Sequence, residues 1–147
     1  MTPERNAMKI SARNVLAGEV QEVTRGAVNA EIILALQGGE LIVAVITNGS
    51  ANSLDLVKGK KAFAIMKASE VMIGKGLEQA KLSARNILAG EVAHVTAGAV
   101  NSEVVVRLPG GTEIVASITK ASVEALELKT GDRVSAVVKA SNVLIGV

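Results

Sequence analysis

The sequence predicts an all-β protein that contains one small domain twice. A long internal repeat and a pattern of short apolar runs separated by glycine-rich turns both lead to this prediction. Composition agrees, because Phe63 is the one aromatic residue of the 147 and the core must be filled by Val, Ile, Leu and Ala. Such side chains suit thin, closely packed β layers.

The repeat is clearest in the segment that begins at Lys9, Lys-Ile-Ser-Ala-Arg-Asn-Val-Leu-Ala-Gly-Glu-Val. It returns from Lys81 as Lys-Leu-Ser-Ala-Arg-Asn-Ile-Leu-Ala-Gly-Glu-Val. Residues 8–74 align with residues 80–146 without a gap, and 36 of the 67 aligned positions are identical. We therefore predict a first domain at 8–74, a second domain at 80–147 and a linker at 75–79. A linker this short favours two units that pack closely.

Within each repeat the alternation of apolar and polar residues predicts five short strands. In the first repeat we expect them at Gly18–Val23, Val28–Leu36, Leu41–Thr47, Ala62–Lys67 and Val71–Gly74. Gln37-Gly38-Gly39 is expected to form a hairpin turn, because glycines supply the positive φ that such turns require.

One helical turn is expected between the third and fourth strands. In the first repeat it runs from Ser50 to Leu56, with Ser50 as the N-cap and Leu54 facing inward. In the second repeat it spans Ser122–Leu128, with Leu126 facing inward. Five strands with one short helix before the fourth predict two tandem Greek-key barrels of the OB type.

Composition argues against several classes of function. The absence of cysteine removes disulfides and thiolate ligands, and a single histidine, His94, makes a zinc site unexpected. Nucleic-acid binding is not indicated, because the net charge is only +2 and aromatic stacking platforms are missing. The longest apolar run, Leu41–Ile46, is too short to span a membrane. Residues 1–7 lack the pattern of a secretory signal, so we expect a cytoplasmic protein.

Polar residues that are identical in the two repeats are rich in hydroxyls, amides and cations. They include Ser11 and Ser83, Arg13 and Arg85, Asn14 and Asn86, Thr24 and Thr96, Asn29 and Asn101, Thr47 and Thr119, Lys67 and Lys139, and Ser69 and Ser141. A tetrahedral oxyanion needs several converging hydrogen-bond donors and one or two positive charges, which these side chains provide. The pattern therefore indicates an anion-binding site that was duplicated with the domain.

Each of these residues also has an ordinary structural interpretation. Ser11–Asn14 could turn the chain into the first strand, Lys67 could be a solvated surface residue, and Thr47 could simply favour a strand. Their joint recurrence at one fixed spacing weighs against these interpretations. His94 stands opposite Glu22 in the repeat and is expected to be a surface residue.

Three repeated motifs together resemble the Mop domain, named after molybdopterin-binding proteins. They are Ser-Ala-Arg-Asn at the start of the unit, Ala44–Thr47 at the end of the third strand, and Lys67-Ala68-Ser69 before a final Val-x-Ile-Gly. The two copies cover nearly the whole chain. Tandem Mop domains of this kind are similar to the di-domain molbindins, which are cytoplasmic proteins that hold molybdate and tungstate.

The resemblance implies a set of site residues. Mop units assemble around a three-fold axis, so a homotrimer is expected, with one type of site between neighbouring subunits. Ser11, Arg13 and Lys67 would hold the anion from one side, and Thr47 would reach in from a neighbouring unit. Backbone N–H groups at Ala12 and around Ser69 would add donors. The same positions in the second repeat are Ser83, Ala84, Arg85, Thr119, Lys139 and Ser141.

A second type of site near the three-fold axis is also a feature of the family. We place it in two repeated segments, at Gly26, Val28 and Asn29 and at Gly98, Val100 and Asn101. We expect no cofactor, no catalytic residue and no nucleic-acid or membrane partner.

The predicted function is reversible binding of molybdate and tungstate for intracellular storage and buffering. A nucleic-acid-binding OB module is the first alternative, although composition disfavours it. An enzyme acting on phosphorylated or sulfated compounds would lack a general base other than His94. A molybdate-responsive adaptor for a DNA-binding or transport partner is compatible with the same residues and stays open.

Overall fold

The computed structural model describes residues 8–147, and the prediction about residues 1–7 lies outside the described residues. The strands are β1 (Asn14–Arg25), β2 (Asn29–Leu36), β3 (Leu41–Thr47), β4 (Lys61–Met66), β5 (Met72–Gly74), β6 (Asn86–Thr96), β7 (Asn101–Arg107), β8 (Glu113–Thr119), β9 (Arg133–Val138) and β10 (Leu144–Gly146). The α-helices are α1 (Asn48–Ser53) and α2 (Lys120–Ala125), and 3₁₀ turns occur at Ala68–Glu70, Leu77–Gln79 and Ala140–Asn142. The predicted all-β class is confirmed.

The strands form two five-stranded sheets in which neighbouring strands are antiparallel. Their orders are β10-β4-β1-β2-β3 and β5-β9-β6-β7-β8. The first sheet belongs to a compact unit, here called unit 1, made of the chain up to Met66 together with Lys139–Val147. The second sheet belongs to unit 2, which is Lys67–Val138. Two five-stranded units of the OB type, each with one short α-helix, agree with the predicted fold.

Each unit takes its fifth strand from the other repeat. In unit 1, β10 pairs with β4 through Leu144 and Ile65, and in unit 2, β5 pairs with β9 through Met72 and Val137. The compact units therefore differ from the repeats at 8–74 and 80–147, and the linker at 75–79 lies inside unit 2. The repeat pattern could not reveal this exchange, because β5 and β10 carry the same motif and either one fits the edge of β4 or of β9.

Aliphatic side chains fill both units, as the composition predicts. The largest fully buried ones are Ile32, Leu34, Ile42, Leu56, Met66 and Val20 in unit 1 and Leu108, Ile114, Val71, Val92, Val104 and Val106 in unit 2. Gly18 is required where β1 crosses β2, because a Cβ atom there would lie 2.7 Å from the carbonyl oxygen of Ala35. Gly90 stands in the same relation to Arg107, at 2.6 Å. At these two positions the strand backbones therefore approach too closely for any side chain larger than that of glycine.

The hairpin turn was predicted correctly. Gly39 adopts a φ of +94°, and its N–H donates to the carbonyl oxygen of Leu36 over 2.9 Å. The single histidine, His94, is exposed at a bulge in β6, as expected of a surface residue.

The predicted helix was wrong in its bounds and in its buried leucine. Its N-cap is Thr47 and not Ser50, so the cap lies three residues earlier than expected, and the helix spans Asn48–Ser53 and does not reach Leu56. Leu54 ends the helix and is only partly buried, whereas Leu56 is buried at 2 % exposure. The second repeat repeats both differences, because Thr119 caps α2, Leu126 ends it and Leu128 is the buried leucine.

An ion pair anchors the end of β5 in unit 2. Lys75 Nζ lies 3.1 Å from Asp132 Oδ2 and also donates to the carbonyl oxygen of Glu127 over 3.1 Å. Asp132 Oδ2 accepts a further bond, from the backbone N–H of Lys129, over 3.0 Å. The bond from Lys75, followed by the bond from Lys129, lowers the pKa of Asp132 below its ordinary value of 3.8.

This shift predicts a pH-dependent contribution of Asp132 to stability. Because the folded pKa is lowered, the contribution is present above pH 3.8 and is lost as the pH falls through the folded pKa. Wild-type protein should therefore melt at a higher temperature than Asp132→Asn at about pH 6, and this difference should shrink by about pH 3. Differential scanning calorimetry of both proteins measures it. Glu19 contributes equally in both, so an equal difference at both pH values would contradict the prediction.

Candidate functional site

The two Ser-Ala-Arg segments directly precede the first strand of each repeat. Ser11 and Arg13 are exposed, and so are their counterparts Ser83 and Arg85. Ala12 and Ala84 between them are partly buried. The serine and arginine residues thus lie at the surface, while the segment itself is held to the sheet by the residue that follows it.

That following residue is a buried asparagine. Asn14, the first residue of β1, is 1 % exposed and its counterpart Asn86 is 2 % exposed. Buried amides in folded proteins are normally hydrogen-bonded, and both residues have polar partners. Sequence reasoning noted their recurrence but did not include them among the site residues. Their burial identifies them as anchors that fix where the donor segment leaves the sheet.

The two predicted lysines lie just beyond the other strand of the same ladders. In unit 1 the ladder between β1 and β4 ends at the pair Asn14 and Met66, and Lys67 is the next residue of the chain. In unit 2 the ladder between β6 and β9 ends at Asn86 and Val138, and Lys139 comes next. Each lysine has an extended backbone conformation and an exposed side chain.

The predicted serines lie in the 3₁₀ turns that follow these lysines. Ser69 is exposed in Ala68–Glu70, and Ser141 is exposed in Ala140–Asn142. In the first turn the backbone N–H groups of Glu70 and Val71 donate to the carbonyl oxygens of Lys67 and Ala68. The N–H groups of Ala68 and Ser69 are therefore not used by the turn itself and can serve as donors.

Thr47 and Thr119 are not beside the Ser-Ala-Arg segments along the sheet. Thr47, at the end of β3, pairs with Asn29 of β2, and the next residue of β2, Ala30, pairs with Arg25 at the end of β1. Arg13 precedes the first residue of β1. Thr47 is thus level with one end of β1, across β2, whereas Arg13 precedes the other end, so the strand pairing of unit 1 does not bring the two residues together.

The threonine hydroxyl is already engaged by its own helix. Thr47 Oγ1 accepts from the backbone N–H of Ser50 over 3.0 Å and donates to Ser50 Oγ over 2.9 Å. Thr119 makes the same two bonds with Ser122, over 3.0 and 2.8 Å. A hydroxyl has one proton to donate. The outward donor of this pair is therefore the hydroxyl of Ser50, with that of Ser122 in the second repeat.

The sequence analysis does not include Ser50 and Ser122 among the candidate site residues. The available signal was their recurrence in both repeats, three positions after a recurrent threonine. It was interpreted as an N-cap, because serine and threonine are both preferred at that position.

The segments predicted for a second anion site form tight loops between the first two strands of each unit. The N–H of Gly26 donates to the carbonyl oxygen of Asn29 over 2.8 Å, and Asn48 Nδ2 donates to the carbonyl oxygen of Gly26 over 3.0 Å. Val28 is 71 % exposed, and its counterpart Val100 is 74 % exposed. Gly98 cannot be replaced without rearrangement, because a Cβ atom would lie 2.2 Å from the carbonyl oxygen of Asn101. The loops are well defined and present an apolar tip.

The hydroxyl, guanidinium and ammonium groups of the first predicted site are donors of the kind that bind anions. Within residues 8–147 no group of three or more His, Cys, Asp or Glu side chains could hold a metal ion. In the same range no helix is long and apolar enough to cross a membrane.

A family model described as the TOBE domain matches residues 10–73 and 82–145. The chain belongs to the TOBE-domain family. Both of its matched segments coincide with the sequence repeats, so each repeat is one TOBE domain in sequence even though the compact units exchange their last strands.

Two curated relatives extend this assignment. Molybdenum-pterin-binding protein MopA of Rhodobacter capsulatus is 44% identical over 138 residues, which is 94% of this chain and 52% of the relative. Molybdenum transport protein ModE of Herbaspirillum seropedicae is 40% identical over 143 residues, which is 97% of this chain and 53% of the relative. The chain thus spans about half the length of these relatives. The match to MopA confirms the resemblance to Mop domains.

A solved structure matches nearly the whole chain. It is a crystal structure of the cytoplasmic molybdate-binding protein ModG, in a PEG-grown form with molybdate bound. The two share 51% sequence identity with a TM-score of 0.91, over 95% of this chain and 99% of that one. The tandem OB-type architecture of this TOBE protein is therefore that of ModG.

The two hydroxyls of the Thr47–Ser50 pair should have separable effects on stability. Replacing Thr47 and Thr119 by alanine removes both N-caps and should lower the free energy of unfolding by about 1 kcal/mol per cap. Serine at both positions should keep most of it. Alanine at Ser50 and Ser122 keeps the capped N–H and should change stability by less than about 0.5 kcal/mol. Urea denaturation followed by circular dichroism measures all three. An equal loss in the Ser50 variant would show that the cap is not the stabilising bond.

Proposed function

We propose that this protein binds molybdate, with tungstate as an alternative ligand of the same shape and charge. The observation that carries the proposal is the duplicated set of exposed hydroxyl, guanidinium and ammonium groups at Ser11, Arg13 and Lys67 and at their counterparts. The likeness to molybdate-bound ModG along nearly the whole chain supports the choice of anion.

The proposed donors suit a tetrahedral dianion. The planar guanidinium of Arg13 can donate to two oxygens at once, and the ammonium of Lys67 adds a compact second charge. Together they balance the two negative charges of molybdate. The hydroxyls of Ser11 and Ser69 and the N–H groups of Ala12 and Ser69 complete the donors. No bond of the ligand is made or broken, so the proposed activity is binding alone.

We further propose that the helix start supplies its donors from a neighbouring subunit. Thr47 is level with one end of β1, across β2, and Arg13 precedes the other end, so one anion contacts both most simply when a second copy of the chain approaches. Ser50 would then donate directly to the anion, and Thr47 would hold Ser50 in place. A homotrimer, as in the family that the sequence resembles, provides such an arrangement with closed symmetry.

The loops at Gly26–Asn29 and Gly98–Asn101 are proposed as a second type of anion site on the axis of that trimer. Storage and buffering in the cytoplasm is the physiological role that we propose, by likeness to ModG. The adaptor role remains the second candidate, because the chain corresponds to about half of ModE, a protein named for molybdenum transport. A pull-down with and without molybdate distinguishes the two.

Loss of both arginines should abolish most molybdate binding. Arg13→Ala with Arg85→Ala removes charge-assisted bonds to the anion, and the dissociation constant should rise about 10- to 100-fold. Equilibrium dialysis with molybdate in the presence of excess sulfate measures the retained anion. Arg25→Ala is the matched control, because it removes an arginine that the second repeat replaces with Ala97. Normal binding by the double variant would refute the site, and no binding by wild type would refute the function.

Mixed oligomers can test whether each site is shared between subunits. Two variants are prepared, Arg13→Ala with Arg85→Ala and Ser50→Ala with Ser122→Ala, and each should bind molybdate weakly. After co-refolding, about a quarter of the interfaces should join one intact arginine side to one intact serine side. Molybdate retention should therefore recover to about that fraction. If mixed oligomers form but retain no more molybdate than either variant, both donor groups belong to the same subunit.

A further inference from the structure

The seat of β5 in unit 2 is built from charged groups. The seat is the part of a unit that receives the end of its fifth strand. In unit 2 it consists of residues 126–133. Lys75 reaches both Asp132 and the carbonyl oxygen of Glu127 there, and Asp132 is additionally held by the N–H of Lys129. The side chains of Lys75 and Asp132 are only 34% and 17% exposed, so the pair is shielded from solvent.

By the repeat, the seat of β10 in unit 1 corresponds to residues 54–61, and this segment has a net positive charge. The repeat places Lys60 where unit 2 has Asp132, and Val147 where β5 has Lys75. Lys60 Nζ donates to the carbonyl oxygen of Leu54 over 2.6 Å, which keeps its ammonium group at the seat. Asp55 stands at the position of Glu127, so the acidic residue there does not distinguish the two seats.

The two seats therefore differ in charge. Residues 54–61 contain Asp55 together with three lysines, at 58, 60 and 61, whereas residues 126–133 contain two acidic and two basic residues. The seat in unit 1 is more positive by two charges. A strand ending in lysine is attracted to the balanced seat through Asp132 and repelled by the positive one through Lys60.

We propose that this charge difference selects which fifth strand each unit accepts. If β5 folded back on β4 of its own repeat, Lys75 would approach Lys60, and the pair with Asp132 would be lost. In the observed arrangement Lys75 meets Asp132, while β10, with the uncharged side chain of Val147 at the corresponding position, lies in the unit that contains Lys60. The backbone ladders are the same in both alternatives, because the two strands carry the same motif. Lys75, Lys60 and Asp132 are thus positioning residues for the strand exchange.

Engineered disulfides can report which strand a unit has accepted, because the natural chain contains no cysteine. Met72 pairs with Val137 in the exchanged arrangement, so Met72→Cys with Val137→Cys places two thiols on directly opposed residues. Leu144, the counterpart of Met72, pairs with Ile65. Met72→Cys with Ile65→Cys therefore reports a β5 that has folded back on its own repeat. Oxidised glutathione accepts the electrons of the two thiols as the disulfide forms.

Each cysteine pair is introduced into three full-length backgrounds. These are the natural charges, the swapped seats Lys60→Asp with Asp132→Lys, and the fully reversed set, which adds Lys75→Glu to the swapped seats. Non-reducing gels separate disulfides within one chain from those between chains, and circular dichroism checks folding. In the fully reversed set the attraction to position 132 and the repulsion from position 60 are both kept with opposite signs, so it serves as the matched control for the swapped seats.

With natural charges, the disulfide between positions 72 and 137 should dominate. In the swapped seats the yield of this disulfide relative to that between 65 and 72 should fall by about fivefold or more, and the fully reversed set should restore it. An unchanged ratio in the swapped seats would overturn the proposal and assign the exchange to the geometry of the connection at 75–79. Failure of the fully reversed set to restore the ratio would overturn it as well. If the swapped-seat protein does not fold, Asp132→Lys alone is compared with the natural charges, and an unchanged ratio there would overturn the proposal.

Discussion

Most of the candidate donors depend on the ladder between β1 and β4 and on its copy between β6 and β9. Each ladder ends at an asparagine that is almost inaccessible to solvent. A buried amide must keep its hydrogen bonds, because an unsatisfied one costs about 1–3 kcal/mol. The chain therefore leaves the sheet at a fixed point on either strand, once toward Arg13 and once toward Lys67. The buried asparagines hold the exposed donors in place, and an anion site requires donors that are held rigidly.

The strands could be predicted from the sequence because their signal is local. Alternating apolar residues locate β2 and β3 almost to the residue, and Gly39 marks the turn between them. The start of α1 could not be located in the same way, since Thr47 and Ser50 are both residue types that cap helices. In the structure they share one bonding network, and only the backbone N–H of Ser50 shows which of them is the cap. The same ambiguity hid Ser50 as a candidate ligand.

The exchange of β5 and β10 could not be predicted because it depends on residues far apart in the chain. Both strands show the same apolar pattern, and both edge partners, β4 and β9, accept it. What differs is one charge on a strand, at Lys75, and one charge on each seat, at Lys60 and Asp132. These charges affect strand pairing only once the fold brings position 75 beside position 132. A repeat reveals what its copies share, whereas the selection of partners rests on where they differ.

The exchange also determines how the two repeats depend on one another. Val143 and Ile145, from the second repeat, are buried in unit 1, and Val71, from the first repeat, is buried in unit 2. Burying side chains of this size contributes about 1.5–3 kcal/mol each, a substantial part of the stability of a small domain. Neither repeat can therefore complete its own core while the strands are exchanged. If one unit unfolds, the fifth strand that it received from the other repeat loses its apolar contacts. The duplication therefore produced two mutually dependent domains and not two independent copies.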